Sequence, residues 1–203
     1  MRNMQWSGAV ASVLFCASAA IWAQSYPARP VRVVIVFAPA GATDIVGRVA
    51  FQKVGEQLNQ QFVIDNRPGG GGTIGAALVA KSPADGYTVM VYSATFIATA
   101  HMYRSLPYQP LRDFIGVAPV ARLVGLLVVN PALPVKSVRE LIDYAKARPG
   151  KINMASAGAG STSHLAGIMF ATLAGIDVVH VPYKGGGPSV TSVVAGEIGR
   201  AHV

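Results

Sequence analysis

The chain has 203 residues and a formal net charge of +8, from 17 Lys and Arg against 9 Asp and Glu. Apolar residues make up 52% and charged residues 13%, a composition that builds a packed core and excludes intrinsic disorder. The basic excess favours anionic partners, but the cations stand singly (Arg29, Arg32, Arg48, Lys53, Arg67), without runs or interleaved aromatics, so nucleic acid is not an expected partner.

Residues 1–25, MRNMQWSGAVASVLFCASAAIWAQS, hold one Arg, an apolar run over 9–23 and a polar end. That is the layout of a secretory signal peptide, cleaved near Ala23 or Ser25. The run falls short of the roughly 20 residues that span a bilayer. Bulky Phe15 stands before Cys16, where lipidation requires a small residue. Cys16 is the single cysteine and leaves with the leader, so the mature chain is expected to hold no disulfide and no cysteine-bound metal.

Strand-like and helix-like segments then alternate. Residues 31–37 are a β-branched run suited to a buried parallel strand. Thr43 or Asp44 is expected to cap a helix reaching about Asn59, with Ile45, Val46, Val49, Val54 and Leu58 on or near one face. QFVID reads as a second strand, NRPGGGG as a breaker, TIGAALVAKS as a short helix stopped by Pro83, and YTVMVYS as a third strand. Residues 102–113, rich in Pro and Tyr, read as an ordered loop. The apolar stretch VAPVARLVGLLVVNP reads as a long strand near 116–130. KSVRELIDYAKARPG is a helix with Ser137 as N-cap, KINMAS a strand, GAGSTSHLAGIMFATLAG a loop and helix, IDVVHVPY a strand, and GGGPSVTSVVAGE a further helix. The alternation implies an α/β architecture with parallel sheets. The expected lobes are residues 26–125 and 126–197, with the chain crossing between them at about residue 125.

Three loops fall where ligands bind in such folds, at the carboxyl ends of strands and the amino ends of the following helices: residues 38–44, 156–164 and 183–189. Small residues there admit a ligand to the backbone, and free N–H groups of a first helical turn point at an anion. Thr43, Ser161, Thr162 and Ser163 add hydroxyls. The same residue types also serve ordinary turns and caps; two similar loops, one per lobe, on a basic chain favour anion binding.

Other chemistry is sparse. Gly70, Gly72 and Gly75 spell G-x-G-x-x-G, but no acidic residue stands about 20 positions on, so neither a dinucleotide nor any other cofactor is expected. His101, His164, His180 and His202 form no H-E-x-x-H pair, and no metal site is expected. Ser161 stands three residues before His164, which leaves an exported hydrolase or acyltransferase as the rival reading, although GAGSTS is not a G-x-S-x-G elbow. Asp44 suits a first-turn carboxylate better than a general base. No catalytic residue is assigned.

The segments YPARPVRVVIVFAPAGATDIVGR, NRPGGGGTIGA, PADGYT, LPYQPLRDF and VHVPYKGGGPSV, in this order, resemble the Bug-type substrate-binding receptors of tripartite tricarboxylate transporters, over nearly all of residues 26–197. The resemblance implies a periplasmic binding protein of type II, a two-lobed Venus-flytrap α/β fold that closes on a small carboxylate without catalysis. It further implies membrane transporter subunits as partners, a ligand-sensing role being the alternative. Carried over by residue, the ligand loops are Pro39, Ala40, Gly41, Ala42, Thr43 and Asp44 in the first lobe, then Gly158, Gly160, Ser161, Thr162, Ser163 and His164 in the second, with Tyr183 and Lys184 flanking the cleft. The family usually carries Gly where Ala40 stands, and a methyl group there opposes a positive φ. Family members also continue well past this point, so the second lobe and the return to the first are expected to be incomplete, and residues 198–203, IGRAHV, read as a non-native tail. Residues 26–203 alone are then expected to be molten or aggregated, because missing strands leave sheet edges and apolar faces uncovered.

Overall fold

The computed structural model describes residues 26–197 and 200–202. The leader expected at 1–25, with Cys16, and residues 198, 199 and 203 of the expected tail lie outside the described residues.

Two three-stranded parallel sheets organise the chain. In the first, β1 (Val31–Ile35) lies between β2 (Phe62–Asn66) and β3 (Thr88–Val91). β1 is buried on both faces, as a central parallel strand must be. Val33 and Ile35 pack with Phe51, Phe62 and Val91 under α1 (Ala42–Leu58). Val34, Val36 and Phe37 pack with Leu78, Val79 and Tyr92 under α2 (Thr73–Ala80). After β3 a 3₁₀ turn (Ala94–Phe96) and a short α3 (Thr99–Met102) lead into the irregular Pro/Tyr segment, where Phe96, Tyr108 and Phe114 form an aromatic cluster.

The second sheet places β4 (Ile152–Ser156) between β5 (Val178–Pro182) and β6 (Arg200–His202). α4 (Val138–Lys146) starts at Ser137, whose hydroxyl accepts from Glu140 N, as expected. Leu141 and Ala145 of α4 form one cluster with Ile152, Leu133 and Phe170. α5 (Thr162–Ala174) packs directly on β4, with Gly167 against the Met154 side chain. α6 (Gly186–Val194) covers the other face through Val193 on Ala155.

Two expectations are corrected. α1 begins two to three residues earlier than expected, with Gly41 as N-cap, so neither Thr43 nor Asp44 caps it. Its inward positions are Asp44, Gly47, Phe51 and Val54, whereas Ile45, Val49 and Leu58 are exposed. Gly47 is the cause: a Cβ there would stand 2.9 Å from Ile35 Cδ1, so the helix settles on the sheet through its smallest residue. Second, residues 116–130 form no strand, and only Val128 makes an isolated bridge. A strand exists only within a ladder, and beyond the single bridge at Val128 this segment joins neither sheet; Ile115 and Val124 are 92% and 88% exposed.

Candidate functional site

Because every strand pair is parallel, the loops after β1, β4 and β5 leave from the carboxyl edges of the two sheets. They meet the opposite lobe in two places. Ala38 N donates to Lys184 O at 3.0 Å, and Gly185 lies so close that a Cβ on it would stand 2.9 Å from Ala38 N. A Cβ on Gly41 would likewise be 3.4 Å from Gly186 N. Beside this contact, Gly71 abuts the Ala159 carbonyl, and a Cβ on Gly158 would be 3.3 Å from Gly71 Cα. The literal G-x-G-x-x-G is therefore a 3₁₀ turn (Gly70–Gly72) pressed against the second lobe.

In the first loop Ala40 adopts φ +62° despite its methyl group, so the positive φ opposed by the side chain is nonetheless present. That conformation costs roughly 1–2 kcal/mol for a residue with a Cβ, and Asp44 holds it: Ala40 N donates to Asp44 Oδ2 at 3.0 Å. The same carboxylate accepts from Arg48 Nε and, at 2.8 Å, from Asn66 Nδ2, which also donates to Phe37 O. Burial by itself would raise the Asp44 pKa, but the bonds from Arg48, Asn66 and Ala40 N outweigh it and hold the carboxyl below its ordinary value. Asp44 is thus an internal brace, neutralised by Arg48, and it does not face a ligand with free oxygens. The first intrahelical donor is Ile45 N, to Gly41 O. The N–H groups of Ala42 and Thr43 precede it and have no intrahelical acceptor, and among the described residues the Thr43 hydroxyl makes no hydrogen bond. Pro39 lends a carbonyl to the close approach of Gly187.

The second loop turns through Gly158 (φ +124°) and Gly160 (φ +86°). Ser161 caps α5 by accepting from His164 N at 3.3 Å, and Ser163 Oγ accepts from Ala157 N at 3.0 Å. The His164 ring turns away from Ser161: its Nδ1 accepts from Gly160 N at 3.1 Å, and the ring stacks on His180 with centroids 3.9 Å apart. The Ser161–His164 side-chain pair of the rival reading is therefore not formed. His180 Nε2 instead lies 2.6 Å from Ser156 Oγ, which is fully buried and also accepts from Gly158 N. Burial lowers the pKa of both imidazoles, and for His180 the neighbouring His164 adds to it. Both rings serve as props under the loop. Thr162 is exposed, its hydroxyl makes no hydrogen bond among the described residues, and the Thr162 and Ser163 N–H groups precede the first intrahelical donor, Leu165 N.

The third loop opens α6 at Gly186, with Gly185 as N-cap. Tyr183 N donates to Ser156 O, its side chain packs with Ala155 and Val193, and its carbonyl would stand 3.0 Å from a Cβ on Gly158 of the second loop. Sequence reasoning missed two further residues. Tyr92 OH donates to Gly71 O at 2.5 Å, and Tyr103 OH lies 2.8 Å from Gly70 O and 2.9 Å from Ala159 O. No local pattern announces them, because their partners are between 21 and 56 residues away.

The amino ends of α1 and α6 thus meet at Gly41 and Gly186, with the loop before α5 approaching the first lobe at Gly158 and Gly71, and free first-turn amides and threonine hydroxyls at such ends are chemistry suited to an anion. A sequence profile described as the tripartite tricarboxylate transporter family receptor (TctC) matches residues 46–203. The chain belongs to this receptor family. Members of the family are periplasmic binding receptors. The chain is 38% identical to Protein BugT of Bordetella pertussis, over 89% of this chain and 56% of that protein. It is similar to the structure of R. palustris Rpa4515 with adipate, with a TM-score of 0.83 and 40% identity over 87% of this chain and 59% of that one. It is also similar to MatC (Rpa3494) from Rhodopseudomonas palustris with bound malate, with a TM-score of 0.81 and 33% identity over 87% and 60%. The chain spans about half the length of the curated relatives it matches. The expected two-lobed periplasmic-binding-protein fold and the Bug-type resemblance are both borne out by these matches.

Proposed function

We propose that this receptor captures a small carboxylate between its two lobes in the periplasm and delivers it to the membrane subunits of a tripartite tricarboxylate-type transporter. The observation that carries this reading is the meeting of the α1 and α6 amino ends at Gly41 and Gly186, with the loop before α5 against the first lobe at Gly158 and Gly71, together with first-turn amides that lack intrahelical acceptors and the free hydroxyls of Thr43 and Thr162. A helix amino end carries about half a positive charge, and three of them suit a carboxylate without a buried cation. The net charge of +8 supports the same ligand sign, and the neighbours named with adipate and malate support a dicarboxylate. Export follows from the leader-like residues 1–25, and the lobes are assigned to residues 26–125 and 126–197. Specificity resides in the loops and not in Asp44, whose carboxylate is occupied by the protein.

Calorimetric titration of the full-length protein with malate and adipate, against malamide and adipamide, tests this. The acids are expected to bind and the diamides not. Thr43→Val and Thr162→Val are each expected to weaken acid binding by about 1 kcal/mol, or more where the carboxylate loses a charge-assisted bond. Binding of the diamides in preference to the acids would refute the substrate class.

A further inference from the structure

The Tyr103 hydroxyl sits between two backbone carbonyls that belong to different lobes, Gly70 O in the first and Ala159 O in the second. We propose that Tyr103 is the clasp of the cleft: its hydroxyl holds the lobes in the closed arrangement by bridging the glycine turn of the first lobe to the ligand loop of the second. This rests on the two-lobed receptor reading above. A phenol has one proton and both neighbours are pure acceptors, so the proton is shared between them or alternates. Gly70 O also accepts from Thr73 Oγ1 at 2.9 Å, which leaves Ala159 O as the acceptor that depends on Tyr103. Burial raises the Tyr103 pKa, so the hydroxyl stays a donor throughout the physiological range.

The surroundings make the clasp specific. Tyr103 is anchored at the end of α3, its N–H donating to Thr99 O at 3.1 Å. Its ring edge lies against Gly160, where a Cβ would stand 3.6 Å from Tyr103 Cε2 and 3.4 Å from Met102 Sδ. Gly160 is the residue whose N–H meets His164 Nδ1 at the start of α5. Tyr103 therefore touches the loop assigned to the ligand at both its ring and its hydroxyl. Gly71 supplies the complementary fit: a Cβ on it would collide with the Ala159 carbonyl, so the lobes close only over a bare backbone. Tyr26 offers an internal contrast, because its hydroxyl donates to Gly86 O at 2.7 Å within the first lobe alone.

The test measures closure without any ligand. Spin labels on Gln57→Cys in α1 and Lys146→Cys in α4 of the full-length protein, with Cys16→Ser, report the interlobe distance by pulsed electron resonance. Gly71→Ala is expected to wedge the lobes apart and define the open distance. Tyr103→Phe is expected to lower the closed-to-open ratio roughly five- to tenfold toward that distribution, whereas Tyr26→Phe leaves it unchanged. A Tyr103→Phe distribution that superimposes on the parent, or one matched by Tyr26→Phe, overturns the clasp. Titration of the same variants with malate and adipate reads the receptor function separately, so loss of carboxylate binding in every variant and in the parent would refute that reading while the distance arm still decides the clasp.

Discussion

Asp44 stands in the first turn of α1 with its side chain only 3% exposed, where an uncompensated carboxylate would repel the very ligand the cleft is built for. Arg48, one turn later and about half exposed, removes that conflict by pairing with it. The carboxylate is then free to act as the acceptor that fixes Ala40 N and Asn66. Asp44→Ala leaves these two donors without their acceptor and is expected to destabilise the full-length protein by about 2–4 kcal/mol in urea unfolding. Thr43→Val, one residue away, is expected to leave the unfolding midpoint nearly unchanged while weakening carboxylate binding. Equal stability for both variants would show that Asp44 is not a brace. The sequence pointed to residues 39–44 as a loop but could not assign these roles, since a first-turn Asp looks the same whether it meets ligand or its own backbone.

Among the elements, the strand–helix alternation was evident from composition because β-branched runs and capped helices carry local signals. β1, α4, β4, α5 and β5 fall within a few residues of the expected bounds. The failures were tertiary. The apolar run near 116–130 has the composition of a strand, yet pairing is a property of the partner, and beyond the single bridge at Val128 neither sheet supplies one. The inner face of α1 was misassigned because Gly47 carries no hydrophobic signal, although it is the residue that sits on Ile35. The packing of α5 on β5 through stacked His164 and His180 was also invisible from the one-dimensional pattern. That packing has a pH consequence. Both histidines ionise less readily in the fold than the ordinary 6.5, because burial, and for His180 also the charge of His164, disfavours protonation. No carboxylate contributes to either shift, and the β6 residue in register with Met154, beside His180, is Ala201. A depressed folded pKa means that the unfolded chain takes up protons first as the pH falls. The contribution to stability is therefore complete above 6.5 and declines as the pH drops from 6.5 through the lower folded values. Thermal melts at pH 7.5 and 5.5 are expected to show a fall in midpoint that shrinks in a His164→Gln, His180→Gln double variant; an undiminished fall would place the titration elsewhere.

At the scale of the whole molecule, the two sheets contribute their carboxyl edges to one cleft, and the lobes touch there through backbone at glycine positions. The lobes are joined there by the Ala38 N–Lys184 O and Tyr103 OH–Ala159 O hydrogen bonds, and a ligand that bonds groups from both sides shifts an equilibrium between open and closed arrangements toward the closed one. The proposed binding of a carboxylate by helix amino ends from both lobes is tested most directly by a crystal structure of the full-length protein with malate or adipate, whichever binds. Carboxylate oxygens are expected within about 2.7–3.2 Å of the amides or hydroxyls of Thr43 and Thr162, with Asp44 still bonded to Ala40 N and Arg48. A bound acid seated away from both helix ends, in the open groove lined by Ile97, His101, Arg104, Tyr108 and Arg112, would contradict this reading.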